Sequence, residues 1–419
     1  LFGRRTAQLQ VKPFSYREAA DFVSSYTPAE KAVCYGITGG VAKYLSLPRD
    51  TKSLDENIVS LFFAKTGYMY EEPSNLLTQE FRNITTYNAI IEAIASGQTK
   101  QNAIADLTHL EPSTTSHAIQ NLIKTGILKK EYAITDERNK RKVRYTFADH
   151  MFRFWYRFLP NGIDAIELGH GDAYYQHVVK PSISDYMGDV FEDMCRHYTL
   201  YMGLTGNLPC MITRVGKWWG TDPRKKEETD IDVVGLDTIK KEAILGECKF
   251  KNERLDKSVY EALRNRTGLI DHHYRTVQYL LFSKSGFSDW ILTHQKEEAI
   301  MPIDLMQMYT SHWQDFLVNL VVPECCPSDA DEVGLAFFQE GFRFSAVGNA
   351  ASQHDGKGRP RFSRFCQFGK VSRFRMTWTE EEAHAARKAE HIEAGSFKKL
   401  RGLADFCTDS AAIHVITAA

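Results

Sequence analysis

Two short apolar runs, Ile231 to Leu236 and Ala243 to Phe250, flank the charged segment Asp237 to Lys241 and carry acids at alternate places. β-Prone stretches this close together fold back as a hairpin, and a turn centred in Thr238 to Lys241 pairs residues whose numbers sum to about 479. Asp232 then stands opposite Glu247. Because side chains alternate along a strand, Asp230, Asp232, Glu247 and Lys249 share one face, while Ile231, Val233, Ile244, Cys248 and Phe250 share the other. Like charges set opposite each other repel, and burial adds to the penalty. A hard divalent cation removes it: the Asp232 and Glu247 carboxylates, the Cys248 carbonyl and water suit Mg²⁺. Such an ion lowers the pKa of a bound water and polarises a phosphodiester, with Lys249 positioning that water or offsetting developing charge. The implied reaction is phosphodiester hydrolysis. An exposed hairpin of alternating charge fits the same letters, since Glu-x-Lys triplets arise by chance roughly once or twice in a chain this long. The flanks IDVVG and AILG point instead to a buried central hairpin.

At 419 residues the chain exceeds one ordinary core, which predicts two or three domains. Its 52 Lys+Arg against 53 Asp+Glu exclude a uniformly basic nucleic-acid binder and a strongly acidic disordered chain, so any DNA contact must come from a local patch. No apolar run approaches the roughly 18 to 20 residues of a membrane span. Arg4-Arg5 is not followed by the apolar stretch of an export signal. A cytoplasmic protein without a membrane partner is expected. The eight cysteines form no CxxC pair, which argues against a zinc site or disulfide scaffold and for buried thiols.

Residues 84 to 147 read as three helices and two strands. YNAIIEAIASG ends at Gly97, TKQNAIADLTHL follows with Thr99 as its cap, and STTSHAIQNLIKTG ends at Gly126. ILKKEYAI and KVRYTF alternate as strands around the charged loop TDERNKR. That order makes a winged helix. Its third helix offers Ser113, Thr114, Thr115, Ser116, His117 and Gln120 to a major groove, and its wing offers Lys129, Lys130, Arg138, Lys140, Arg141, Lys142 and Arg144 to phosphates. DNA is the expected partner, with affinity that falls steeply with salt. Winged helices also serve as protein-binding modules, and that alternative stays open.

Elsewhere the chain opens at Leu1 with no start or targeting logic and reads as the middle of something longer. Helical periods run from Ser15 to about Leu47, interrupted at Gly39-Gly40, and from Asp55 to Lys65. Residues 151 to 178 read as an aromatic packing connector, and a mixed α/β unit follows as far as about Tyr309. Trp218-Trp219 are expected at a sheet edge, and His272-His273 as a surface pair. The tail shows no core; its basic run with Phe362, Phe365, Phe368 and Phe374 reads as disordered, partner-binding, or able to stack single-stranded bases.

The order of these features resembles the C-terminal part of the archaeal-type ATPases of the AAA+/STAND group, in which a lid region and a winged helix precede a PD-(D/E)XK nuclease-like domain. FGRR at 2 to 5 and ITGGVAKYL at 37 to 45 resemble that family's post-core segment and GG-x-P-x-YL lid motif, with Ala42 in the proline's place. TDIDVVG, LGECKF and LLFSKSGF resemble its aspartate strand, ExK strand and following strand. The resemblance covers about residues 1 to 311. It implies an α/β multidomain chain: a helical lid remnant (1–80), a winged helix-turn-helix (81–150), a connector (151–178), a nuclease-like mixed α/β sheet (179–311) and a tail (312–419). It further implies Asp232, Glu247 and Lys249 as catalytic residues, with Asp232, Glu247 and Glu192 on the metal. No GxxxxGK[ST] occurs, since Trp218 follows Gly216-Lys217, so ATP is expected only with a separate P-loop core and no ATPase activity from this chain alone. That core, or another protein, is an expected partner. Two functions result: a DNA-associated Mg²⁺-dependent nuclease, or a non-catalytic DNA- or protein-binding regulator on an inactive nuclease-like scaffold.

Overall fold

Three helices near the start are set by the same local device. Ser15, Thr27 and Ser53 each accept a backbone N–H at N3, while Glu18, Glu30 and Glu56 reach back to the cap, giving three capping boxes. The helix Pro28–Thr38 stops at Gly39, whose φ of 71° is left-handed. Gly40 follows with φ 74°, and a Cβ there would lie 2.2 Å from the Phe14 carbonyl oxygen. The Phe14 N–H donates to the Gly40 carbonyl at 2.7 Å, so the glycine pair docks the incoming chain against the helix end. This is the computed structural model of the chain; it describes residues 12–136 and 143–310 in full, and the backbone of four tail strands. The chain divides into two compact units, Leu1–Ser311 and His312–Ala419.

Helices Ile84–Ala95, Gln101–Thr108 and Pro112–Lys124 precede strand β1 (Leu128–Glu131), which pairs antiparallel with β2 (Arg144–Phe147). Gly97 and Gly126 end their helices at φ 100° and 79°. Thr99 is not the cap expected of it. Lys100 holds the N-cap position without a side-chain bond, and the Thr99 carbonyl accepts the Tyr145 N–H at 2.8 Å, tying the helices to β2. Arg138, Lys140, Arg141 and Lys142 lie outside the described residues.

The aromatic connector is part of the core. Asp149 caps the helix His150–Phe158, which buries Met151, Phe152, Phe154, Tyr156 and Phe158. Phe154 meets Phe62 with ring centres 4.9 Å apart. The 25-residue helix Lys180–Leu204 then lies across one face of a sheet, with Phe191 against Phe250 and Tyr198 against Phe282. That sheet has five strands in the order β3 (Arg214–Asp222), β4 (Glu227–Asp237), β5 (Glu242–Lys249), β6 (Arg275–Ser283) and β7 (Ile300–Asp304). β3, β4 and β5 are antiparallel; β5, β6 and β7 are parallel. The helix Lys257–Asn265 covers the other face, placing Tyr260 and Leu263 in one cluster with Val234, Leu245 and Leu281. β3 is an edge strand, and both of its tryptophans are buried. Ile134, just past β1, covers that edge: its N–H donates to the Lys217 carbonyl at 3.0 Å, and its carbonyl accepts from Arg214 at 3.0 Å. No helix among the described residues is long and apolar enough to cross a membrane. The four described cysteines, Cys34, Cys195, Cys210 and Cys248, are free and buried.

In the tail, where the sequence shows no core and one helix-like Ala/Glu/His/Lys stretch at 379–392, the backbone pairs as β8 (Phe344–Ala346), β9 (Ala351–His354), β10 (Pro360–Phe368) and β11 (Ser372–Trp378). The basic run falls on β10 and β11, with Cys366 opposite Phe374. The helix-like stretch 379–392 lies outside the described residues.

Two outcomes follow for stability. Gly40→Ala combines a left-handed φ with a backbone clash and should cost about 3 kcal/mol or more in denaturant unfolding. Gly126→Ala, where φ is 79° but nothing lies within 4 Å, should cost less than half of that. The second concerns His150, whose Nδ1 has no hydrogen-bond partner among the described residues. Burial pulls its pKa down to about 4. The unfolded chain therefore takes a proton that the native state refuses: the contribution is intact above the usual histidine value of about 6.5 and is lost as pH falls toward 4. His150→Phe should lose less stability than wild type between about pH 7 and 5, by about 2 kcal/mol. Equal losses would refute the assignment.

Candidate functional site

The β4 and β5 ladder runs from Asp237 opposite Glu242 to Val233 opposite Gly246, the register read from the sequence. Asp237 closes the turn by accepting the Ile239 and Lys240 N–H groups at 2.9 Å each, and Lys241 takes φ 58°. Beyond Val233 and Gly246 the strands part. β4 continues along β3 to Glu227, and β5 continues along β6 to Lys249. Asp232 and Glu247 are the first residues past the last pair, at the mouth of this fork. Glu247 lies by alternation on the face of Ala243 and Leu245. At Asp232 the alternation slips: Gly216 stands opposite Val234 but Trp218 opposite Ile231, and this bulge puts Ile231 in one cluster with Val234 instead of on the opposite face expected from the sequence. Asp232 is 7% exposed and Glu247 6%, so neither is a solvated surface acid.

Each acid is met by different groups. The Asp232 carboxylate accepts the Cys248 N–H at 3.0 Å, taking up a donor freed where the ladder opens. Glu247 Oε1 lies 2.7 Å from Lys249 Nζ, and its Oε2 lies 2.7 Å from Arg266, just past the helix Lys257–Asn265. From β3, Lys217 Nζ reaches Glu192 at 2.8 Å, Asp230 at 3.1 Å and Asp232 at 3.9 Å. Arg196, on the long helix, donates to the Asp232 carbonyl at 2.8 Å, to Glu192 at 3.2 Å and to Asp193 at 2.5 Å. Asp193 also takes Lys129 of β1 at 2.8 Å.

Burial, then the nearby Asp232 charge, pushes the Glu192 carboxyl up to about 7 although Lys217 and Arg196 oppose this. Asp232 is raised by burial and by Glu247. Burial works against the Lys217 ammonium, but Glu192 and Asp230 outweigh it and raise its pKa. Both members of the Glu192 and Lys217 pair are raised because Lys217 answers to several acids, while Glu192 faces Asp232. Lys249 is raised as well, Glu247 overriding burial. Asp193 falls far below the usual carboxylate range, with Arg196 and Lys129 overcoming burial. The fork thus holds one acid near neutrality among cations that stay charged.

Beside it lies a cleft of about 300 Å³ between β1, the long helix and β3, lined by Lys129, Arg196, Lys217 and Trp219 among others. Arg144 stacks over Trp219 at 4.6 Å. On the third helix Ser113, Thr114, His117 and Gln120 are exposed, Ser116 is half-buried and Thr115 buried. Lys130 is exposed on β1, whereas Lys129 is held by Asp193 and by Glu131 at 3.1 Å. Arg196, Lys217 and Arg266 were not singled out as site residues from sequence. Arg196 had a signal, since Glu192, Asp193 and Arg196 stand at helical ion-pair spacing. Lys217 and Arg266 had none, because strand packing and a turn bring them in. Among the described residues, one trio alone places possible ligand atoms within 4.8 Å of one another: Asp271, His272 and His273, in the loop before β6.

Comparison with known proteins gives a match over residues 155–262 to DUF234, a family of archaeal and bacterial proteins of unknown function. The match spans the long helix and the fork. An uncharacterized protein of Methanocaldococcus jannaschii, MJECL04, is 26% identical over 281 residues, which make up 64% of this chain. The chain spans 60% of that relative's length. Among solved structures, protein VC1899 from Vibrio cholerae aligns over 70% of this chain and 58% of its own, at 9% identity and a TM-score of 0.24, too slight a likeness to argue from.

Proposed function

We propose that the fork between β4 and β5 is a Mg²⁺-dependent phosphodiester-hydrolysing site of the PD-(D/E)XK kind, delivered to DNA by a winged helix formed from residues 81–150. The observation that carries this reading is the burial of Asp232 and Glu247 where two central strands part, with Lys249 beside them. Two buried carboxylates, with Asp232 raised first by burial and then by the Glu247 charge, are a donor set for a hard cation. Asp232 and Glu247 would hold Mg²⁺, with Glu192 nearby. When bound, the ion would supply Lewis-acid polarisation and a water of lowered pKa.

The chain's own groups do the rest. Lys249 rests on Glu247 at 2.7 Å with its side chain 38% exposed, which leaves it open to an incoming phosphate. There it offsets charge developing on the phosphoryl oxygens. Glu192, held near neutrality, is matched to accepting a proton from the attacking water. Lys217 and Arg196 fix the acids from behind. Ser113, Thr114, Ser116, His117 and Gln120 form the groove-facing surface in this reading, and Lys130 with the 138–144 cations meets phosphates. An ATPase core is the partner that fits the lid-like start, and ATP would belong to that core. A cytoplasmic location accords with this role.

Two measurements test the reading. With Mg²⁺ the protein should nick supercoiled plasmid, and Asp232→Asn should lower the rate at least about a hundredfold while leaving duplex binding unchanged. A wild type as inert as the variant, with both still holding DNA, would leave a non-catalytic binding protein. The logarithm of duplex affinity should also fall linearly with log salt, and Lys130→Gln should reduce the magnitude of that slope by about 1. An unchanged slope removes β1 from the DNA surface.

A further inference from the structure

We propose that Asp271, His272 and His273 form a surface site for a borderline transition ion, for which Zn²⁺ is the natural probe. The site is independent of the fork. His273 Nδ1 lies 2.6 Å from Asp271 Oδ1, and His272 Nδ1 lies 3.5 Å from the same oxygen. Donors of a tetrahedral zinc shell stand about 3.4 Å apart. His272 Nδ1 already stands at that spacing from Asp271, His273 Nδ1 would open from its hydrogen bond by about 0.8 Å, and all three donor atoms lie within 4.8 Å of one another. The loop is already shaped for this. The His273 N–H donates to Asp271 Oδ1 at 3.0 Å, and the Tyr274 N–H donates to the Asp271 carbonyl at 3.0 Å. Tyr274 is pinned by Lys241 Nζ, 5.3 Å from its ring centre, and Arg275 ties the start of β6 to Glu242 at 2.6 Å.

Donor chemistry sets the ion. Two imidazoles and one carboxylate suit Zn²⁺, Co²⁺ or Ni²⁺, whereas Mg²⁺ prefers an all-oxygen shell. All three residues are exposed, so water or a donor from another molecule would complete the coordination. Glu242, opposite Arg275, is five residues along β5 from Glu247, about 16 Å of extended chain. Neither site can therefore borrow the other's ligands.

Calorimetric titration of the whole chain with Zn²⁺, and visible absorption with Co²⁺, test the proposal. Wild type should bind one equivalent that excess Mg²⁺ does not displace. His272→Gln or His273→Gln should each weaken binding at least about tenfold, and the double variant should lose the Co²⁺ band. The Asp232→Asn/Glu247→Gln double variant should bind Zn²⁺ as wild type does, even if it cuts no DNA. No Zn²⁺ binding, undiminished binding without the two histidines, or loss of binding in the fork variant would each overturn the site.

Discussion

Carboxylates can be gathered in a protein interior only where something opposes their repulsion. At the fork that opposition comes from several directions: Lys217 from the edge strand, Arg196 from the long helix, Lys249 from the neighbouring strand and Arg266 from beyond the covering helix. A backbone N–H, from Cys248, completes the set on Asp232. Remove the sheet order and these cations have no reason to meet. The same charges that would repel one another thus bind helix, edge strand and central strands into one unit. Buried pairs of this kind add little net stability against an apolar core of equal volume, but breaking one leaves an uncompensated charge and costs several kcal/mol.

Some of this was legible in the residues alone. The β4 and β5 register followed from two apolar runs and a short charged turn, because a tight turn fixes which residues stand opposite each other. The three helices before β1 followed from apolar period and from Gly97 and Gly126. These are local signals, and local signals survive folding when tertiary packing agrees with them.

What could not be read is what packing decides. Lys129 looked like one more cation of a basic wing, yet the long helix brings Asp193 within 2.8 Å of it. Thr99 looked like a cap, yet β2 claimed its carbonyl. The aromatic stretch after Asp149 looked like a link and is core, since its rings face Phe62 and Tyr186 across distant sequence. β7 carries a proline and shows little alternation, and it became a strand because β6 offered a parallel edge. In each case the deciding partner lies tens of residues away, beyond any window of periodicity.

The chain of contacts from Lys129 through Asp193 and Arg196 to the Asp232 carbonyl has a mechanical meaning. It is a strut between the small two-stranded ladder and the strand that carries Asp232, made of side chains that are a third exposed or less. The position of the ladder is thereby tied to the backbone that presents Asp232.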